Sequence, residues 1–197
     1  MSTTICIFGD SITWGATDID GGGWAGRLRS NLEADPRSDA MVYNLGICGD
    51  TTDGLLRRFS IEAEARDPQM IIFAIGINDS AYVVSRNNPQ TDLEDFKYNL
   101  VQLIDRASEI TSRIVFVSLN KVDEDKTAPI PWTADIFYDN ENILVYNSVI
   151  SAVCQENNIQ FIDVFDVLEL SDLDDGLHPN AAGHEKLFVK IKESLAL

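Results

Sequence analysis

The sequence predicts an α/β protein, a three-layer α/β/α sandwich in which a parallel sheet lies between two layers of helices. Short apolar runs of the length of buried strands alternate along the whole chain with segments whose apolar residues recur at helical spacing. Two of these runs, residues 5–8 and 70–75, are apolar on both faces, which is typical of central strands covered by helices on both sides. Strands joined by helices in this way are expected to be parallel and connected by right-handed crossovers.

Each strand is expected to be followed by a helix. The strands coincide with the most apolar runs, at residues 5–8, 41–45, 70–75, 114–117 and 161–162. Helical patterns follow at residues 24–32, 51–65, 93–107, 143–156 and 181–195. Before the third helix, Thr91 and Glu94 predict a capping box, and the apolar stripe over residues 93–107 predicts a face that packs in the core.

Length and composition indicate a single domain over residues 1–197. The 197 residues, 45% of them hydrophobic, are enough to bury a substantial core. With 32 acidic and 15 basic residues, the formal net charge of −17 repels nucleic-acid phosphates and anionic membrane surfaces. We therefore expect neither nucleic acid nor a membrane as a partner.

The start of the chain and its cysteines indicate a cytoplasmic protein. Residues 1–4 lead directly into the first strand without a basic region, the apolar run is too short for a signal peptide, and no segment approaches a membrane span. Cys6, Cys48 and Cys154 are odd in number and far apart, which favours reduced, buried thiols over a disulfide framework. Their spacing also does not fit a metal site.

The connection between residues 119 and 140 is far longer than a usual strand-to-helix loop, and loops of that length are typically functional or disordered. Its prolines and aromatic residues favour an ordered flap over the carboxyl edge of the sheet, with a loop that only packs beside the core as the alternative. The acidic residues 123–125 predict a solvated face. The prolines and aromatic residues in question are Pro129, Pro131, Trp132, Phe137 and Tyr138.

A glycine, a carboxylate and a hydroxyl follow the first apolar strand without a linker. Gly9 allows a sharp turn, and Ser11 then falls at the junction of strand and helix, where free N–H groups favour developing negative charge. Ligands gather beyond the carboxyl ends of such strands. An ordinary turn serine is the alternative, because Gly, Asp and Ser are common turn residues.

Two further strands end in polar clusters. Residues 44–51 contain glycines that allow a backbone N–H to face a ligand, and Asp50 or Thr51 can cap the next helix. Residues 76–79 include Asn78, whose amide could donate to an anionic oxygen. Either cluster taken alone is equally typical of a turn or a cap.

The segment before the last helix contains one of only two histidines. Pro179 disfavours helical dihedrals at His178, and Asn180 can cap the following helix, so the imidazole projects from a fixed loop. Asp175, three residues earlier, can accept from Nδ1–H and leave Nε2 free as a base, which is the carboxylate–imidazole half of a nucleophilic triad. His184, in the first turns of the helix, is expected at the surface.

Taken together, these clusters resemble the SGNH hydrolases, the GDSL family of esterases and acylhydrolases, over nearly the whole chain. Four blocks occur in the order of that family: Gly9-Asp10-Ser11, Gly49-Asp50-Thr51, Gly76-Ile77-Asn78-Asp79 and Asp175-Gly176-Leu177-His178-Pro179. The resemblance implies a flavodoxin-like fold with five parallel strands in the order 2-1-3-4-5. The Gly-x-Ser-x-Gly elbow of α/β-hydrolases is absent around Ser11.

The resemblance also implies a mechanism of acyl transfer. Ser11 would be the nucleophile, His178 its base and Asp175 the group that orients the imidazole. The oxyanion would be held by the N–H groups of Ser11 and Gly49 and by the Asn78 amide, without a metal or an organic cofactor.

Two neighbouring residues have other expected roles. Gly46 is a competing oxyanion donor that matches the family block less well than Gly49. Asp10, beside the nucleophile, is expected to orient neighbouring groups rather than to react.

The expected substrate is a small soluble acyl ester. Alternatives of the same fold are a carbohydrate O-deacetylase, a lysophospholipase and a thioesterase. Outside the enzymes, a flavodoxin-like binding module such as a receiver domain shares the strand order, but fold alone does not imply function. The intact Ser, His, Asp, Gly and Asn set favours the enzyme.

Overall fold

A computed structural model of the chain describes residues 3–85 and 88–195. In chain order its elements are β1 (Thr3–Gly9), α1 (Ser11–Trp14), α2 (Gly23–Ala34), β2 (Ala40–Gly46), α3 (Thr52–Glu64), β3 (Met70–Ala74), β4 (Tyr82–Val83), α4 (Leu93–Ser108), β5 (Ile114–Val117), α5 (Glu124–Thr127), β6 (Ile136–Phe137), α6 (Asn140–Glu156), β7 (Gln160–Ile162), a 3-10 helix (Leu170–Asp172) and α7 (Ala181–Leu195).

Five parallel strands form the central sheet in the order β2-β1-β3-β5-β7. Counting these strands alone, the order is 2-1-3-4-5, so the predicted fold class and strand order are confirmed. Gly9 at the end of β1 lies opposite Gly46 of β2 and Ala74 of β3. The segments that leave these three strands therefore begin at the same edge of the sheet.

The helices pack on the sheet in two groups. Helices α2 and α7 contact each other, while α4 lies between α3 and α6. Under the second group, four phenylalanines pack ring against ring, with centroids 4.9 to 5.9 Å apart. They come from three neighbouring strands and from α3: Phe8, Phe73, Phe116 and Phe59. These rings bury large apolar areas and stabilise the packing of α3 on the sheet near the carboxyl ends of its strands.

The predicted capping box of the third long helix is wrong. Helix α4 begins at Leu93 with Asp92 as its N-cap residue, so Thr91 and Glu94 do not occupy the N-cap and N3 positions of a capping box. Thr91 belongs to the preceding turn, where its N–H donates to the Asp79 carbonyl oxygen. Leu93, which the apolar stripe placed in the core, is 39% exposed. The remainder of the stripe is buried as predicted.

The segment between β5 and α6 is ordered by its own secondary structure. It contains α5 and β6, and β6 pairs with β4 in a separate antiparallel ribbon. The prediction of a solvated acidic face is wrong for Asp123, which is buried and pairs with Lys126. Glu124 and Asp125 are exposed. Among the helices that the structure describes, none has the length and apolar character needed to cross a membrane.

Candidate active site

Ser11 is the first residue of α1, directly after the turn at the end of β1. The side chain of Asp10 accepts a hydrogen bond from the Ile12 N–H (2.9 Å) and caps this short helix. A Cβ atom at Gly9 would lie 2.2 Å from Thr13 Oγ1 and 2.4 Å from the Ala74 oxygen, so only glycine fits there. The turn therefore presents the Ser11 hydroxyl at the sheet edge from a fixed backbone.

A continuous chain of hydrogen bonds joins Ser11 to His178 and Asp175. Ser11 Oγ is 2.8 Å from His178 Nε2, and His178 Nδ1 is 2.7 Å from Asp175 Oδ2. The other oxygen of Asp175 accepts from the backbone N–H groups of Leu177 and His178. Burial raises the pKa of Asp175, but the hydrogen bonds from His178 outweigh it and leave the pKa below its usual value. Asp175 is thus held as a carboxylate facing the imidazole.

The loop that carries His178 is fixed on both sides. Leu173 pairs with Pro179 across its base, and Asn180 caps α7 by accepting from the N–H groups of Ala182 and Gly183. At Gly176, φ is 94°, a backbone conformation that favours glycine. These contacts give the imidazole its position before any substrate binds.

The two candidate glycine donors differ in whether their N–H groups are occupied. The Gly46 N–H donates to the Asn44 side-chain oxygen at 3.0 Å. Gly49 adopts φ 76° in an exposed turn, and no acceptor within residues 3–85 and 88–195 is bonded to its N–H. At the first position of α1, the Ser11 N–H has no intrahelical acceptor. Ser11 and Gly49, but not Gly46, therefore have N–H groups that could bind an anionic oxygen.

Asn78 lies in the turn that follows β3. Its side-chain N–H donates to the Asp50 carbonyl oxygen at 2.8 Å, and its oxygen accepts from the hydroxyl of Tyr138 at 2.9 Å. One amide hydrogen of Asn78 remains for a ligand. The sequence indicated Asn78 but not Tyr138, which comes from the long segment between β5 and α6.

Two fully buried carboxyl groups lie beneath these residues. Burial raises the pKa of Asp10 to about 7, against the hydrogen bond from Ile12, and raises the pKa of Asp79 to about 6. Asp79 accepts hydrogen bonds from both the N–H and the hydroxyl of Thr52. Asp79 therefore connects the turn that contains Asn78 to the start of α3.

The raised pKa of Asp10 predicts a pH-dependent stability. The unfolded chain loses this proton near pH 3.8 and the folded protein near pH 7, so stability from the neutral carboxyl is lost as pH rises between these values. Relative to an Asp10→Asn variant, the wild-type free energy of unfolding should fall by a few kcal/mol between about pH 5 and pH 8. Urea unfolding at both pH values measures this difference. Equal changes in the two proteins would contradict it.

Trp132 lies against the imidazole of His178. The two ring centroids are 5.6 Å apart at an interplanar angle of 22°, and the indole is 55% exposed. The long segment between β5 and α6 therefore reaches the triad, as the prediction of a flap over the carboxyl edge requires. Its exposed indole borders the space in front of His178.

The prediction of a surface position for His184 is wrong. Its side chain is fully buried between α7 and α2, where Nδ1 accepts from the Trp24 N–H and Nε2–H donates to the Ala16 carbonyl oxygen. Burial lowers the pKa of His184, which keeps it neutral. His184 therefore ties two helices together and does not reach the triad.

The three cysteines are free thiols. Cys6 and Cys154 are buried free thiols, as predicted, and burial raises the pKa of each to about 12. Cys48 is also a free thiol, but the prediction that it is buried is wrong, because it is exposed in the turn before Gly49. Over the described ranges of the chain, no three His, Cys, Asp or Glu side chains are grouped as metal ligands.

Comparison with protein families identifies a matching family, and comparison with curated proteins identifies relatives that match over part of their length. The model of the GDSL-like Lipase/Acylhydrolase family matches residues 7–186. The uncharacterized protein YpmR of Bacillus subtilis (strain 168) is 29% identical over 97 residues, which are 47% of this chain and 38% of YpmR. The GDSL esterase/lipase CPRD49 of Arabidopsis thaliana is 27% identical over 131 residues, 60% of this chain and 51% of that protein. The matches thus span about half or less of the curated relatives.

Solved structures match the chain over its whole length. LAE5, an alpha/beta hydrolase enzyme from the metagenome of Lake Arreo, Spain, has a TM-score of 0.78 at 19% identity and covers 100% of this chain and 97% of its own. Axe2, an acetylxylan esterase from Geobacillus stearothermophilus, has a TM-score of 0.79 at 21% identity, with coverage of 99% and 94%. At such identities the likeness shows the fold alone.

Proposed function

Because the chain belongs to the GDSL-like lipase and acylhydrolase family, we propose that it is a serine carboxylic ester hydrolase that works through an acyl-serine intermediate. The observation that carries this proposal is the chain of hydrogen bonds from Ser11 through His178 to Asp175. Nucleophile, base and orienting carboxylate are all within hydrogen-bond distance in the order that acyl transfer needs.

In the first half of the reaction, His178 Nε2 takes the proton of Ser11 Oγ as that oxygen attacks the ester carbonyl carbon. The resulting oxyanion accepts hydrogen bonds from the N–H groups of Ser11 and Gly49 and from the free amide hydrogen of Asn78. The tetrahedral intermediate then collapses: the bond to the leaving oxygen breaks, and His178 gives its proton to the departing alcohol.

In the second half, water replaces the alcohol. His178 removes a proton from the water, whose oxygen attacks the acyl-serine carbonyl carbon, and the same donors hold the second oxyanion. Collapse breaks the bond to Ser11 Oγ, which recovers its proton from His178, and the acid leaves. Asp175 accepts from Nδ1–H throughout and stabilises the imidazolium that forms in each half. Asp10, as the cap of α1, holds the Ser11 backbone in place.

We expect short acyl groups to be preferred. The segment between β5 and α6 places the Trp132 indole 5.6 Å from the His178 ring, which limits the space in front of the triad. The formal net charge of −17 also repels the anionic surfaces on which long-chain lipid esters are presented. Across a panel of soluble esters, kcat/KM should therefore be higher for acetyl and butyryl esters than for palmitoyl esters. A clear preference for palmitoyl esters would contradict the short-chain assignment, and inactivity on every ester and thioester would contradict the proposed function.

A second candidate, carbohydrate O-deacetylation, is favoured by the exposed indole of Trp132 beside His178. The alcohol must leave next to His178 because this residue protonates it, so its remaining atoms lie near the indole. An exposed aromatic face can cover the apolar C–H face of a sugar ring. The structurally similar Axe2 is an acetylxylan esterase, which agrees with this substrate class.

Replacing Trp132 tests the sugar assignment. In Trp132→Ala, kcat/KM for an acetylated xylo-oligosaccharide should fall about 10-fold or more, because the apolar contact with the sugar is lost. Ethyl acetate is the internal control: its alcohol is too small to contact the indole, so its kcat/KM should change by less than about 3-fold. Equal losses on both esters would instead mean that Trp132 supports His178 and does not bind the alcohol.

A further inference from the structure

We propose that Tyr138 is a positioning residue that fixes the Asn78 amide in the orientation that receives the oxyanion. The inference rests on the proposed function, in which Asn78 is one of the oxyanion donors. Tyr138 does not contact the substrate in this proposal and acts only through Asn78.

The Asn78 amide has two fixed ends. Its nitrogen is held by the Asp50 carbonyl oxygen at 2.8 Å, and its oxygen is held by the Tyr138 hydroxyl at 2.9 Å. The terminal torsion of an asparagine is intrinsically broad, so a single bond at the nitrogen leaves the amide plane free to rotate about it. The second bond, at the oxygen, removes that freedom. The second amide hydrogen, which does not bond Asp50, then points in one fixed direction.

The Asp50 carbonyl oxygen, which accepts from the Asn78 amide nitrogen, is itself fixed in position. The carboxylate of Asp50 pairs with the guanidinium of Arg58 at 2.7 Å, and both side chains are largely buried. The Asp50 side chain also accepts from the Thr51 N–H at 3.1 Å. The carbonyl oxygen to which Asn78 donates therefore belongs to a backbone that is held from two sides.

Tyr138, which bonds the oxygen of the Asn78 amide, is also fixed by its own contacts. Its N–H donates to the Thr127 carbonyl oxygen at 2.9 Å, its carbonyl oxygen accepts from the Thr127 hydroxyl at 3.2 Å, and its side chain is 4% exposed. Burial raises the pKa of the Tyr138 phenol further above its usual value, so the phenol stays protonated. A protonated hydroxyl can donate to the Asn78 oxygen at any working pH.

The segment that carries Tyr138 also holds the base side of the site. The Asp123 N–H donates to the Gly176 carbonyl oxygen at 2.8 Å, one residue after Asp175, and Trp132 stacks on His178. Tyr138 extends the same segment to the oxyanion side. Residues 119–140 thus connect the two halves of the site, and Tyr138 is the contact that reaches Asn78.

A double-mutant cycle tests the inference. Tyr138→Phe keeps the ring and removes only the hydroxyl, so the Asn78 amide is no longer held in one orientation. Because this amide bonds the oxyanion mainly in the transition state, kcat should fall about 10-fold while KM changes little. Asn78→Ala should lower kcat by roughly 10² to 10³. The double variant should be no slower than Asn78→Ala alone, because Tyr138 has nothing left to position.

Tyr146→Phe is the matched control. Tyr146 is also buried, and its hydroxyl donates to the Thr91 carbonyl oxygen and not to Asn78. This variant should lose thermal stability to an extent similar to Tyr138→Phe but keep its kcat. If both tyrosine variants lost kcat in proportion to their change in Tm, the effect would be one of stability and the inference would be overturned.

The remaining outcomes separate the inference from the proposed function. Unimpaired kcat in Tyr138→Phe with a slow Asn78→Ala would overturn the positioning role and leave the oxyanion assignment intact. A full 10-fold loss on top of Asn78→Ala would also overturn it, since Tyr138 would then act independently of the amide. Wild-type kcat in Asn78→Ala would mean that the oxyanion assignment itself fails. Where residual rates are too low for steady-state assays, the rate of fluorophosphonate labelling at Ser11 replaces kcat.

Discussion

Ser11→Ala is expected to lower kcat by about 10⁴ or more, because without Ser11 Oγ no acyl-serine can form. Ser11 and His178 are joined by a 2.8 Å hydrogen bond and act as one unit. Adding His178→Ala to Ser11→Ala should therefore cost little more, since the base has no nucleophile to activate. Steady-state kinetics on a short-chain ester measure both effects.

Covalent labelling provides the independent measurement. A fluorophosphonate probe should modify the wild-type protein at Ser11, as detected by mass spectrometry of the modified peptide. Ser11→Ala should not be labelled, whereas Asn78→Ala should be labelled more slowly, because it retains nucleophile and base. Labelling of Ser11→Ala at another residue, with activity retained, would show that the nucleophile lies elsewhere.

The site residues that the sequence indicated share one property: the neighbouring residues in the sequence predict the strand end, turn or loop in which each of them lies. An apolar strand that ends in Gly9 places Ser11 at the sheet edge, and Asn180 with Pro179 predicts a loop before α7. Strand order places such ends side by side once the fold class is known. That Ser11, Asn78 and His178 act together was predicted from the resemblance to the four family blocks, and the strand order explains why the segments that carry Ser11 and Asn78 lie side by side.

Tyr138 and Trp132 could not be found in this way. They belong to a segment with neither strand nor helix periodicity, so the points at which it contacts the rest of the protein depend on its path in three dimensions. In the structure that path is set by the pairing of β6 with β4 and by the bond from Asp123 to Gly176. Aromatic composition predicted an ordered segment but could not predict the contact each ring makes.

His184 is different, because the sequence did contain a signal for its burial. Leu187 and Ile191 continue its spacing of three and four residues on the inward face of α7. The prediction of a surface position followed from the intermediate burial that is usual for histidine, although the helical pattern indicated the inward face. The histidine at the buried end of the stripe is satisfied by two backbone groups, which a pattern of apolar residues alone cannot show.

Asp175→Asn should lower kcat by about 10⁴ while leaving the site folded. In the wild type, Asp175 Oδ1 accepts from two backbone N–H groups and Oδ2 accepts from His178 Nδ1–H. An asparagine must keep its oxygen on the two backbone donors, so its NH₂ group faces Nδ1. The imidazole must then place its proton on Nε2, facing Ser11, where it can no longer accept the serine proton.

Asp174→Asn is the matched control for this variant. It makes the same change of charge one residue earlier in the same loop, but the Asp174 side chain is exposed. Its bond within the loop comes from the backbone, where the Asp174 N–H donates to the His178 carbonyl oxygen. Its kcat should stay within about 2-fold of the wild type, because a single exposed charge is screened by solvent. Similar thermal unfolding of both variants would establish that the loop is intact. Equal kcat in both variants would mean that Asp175 does not orient the base.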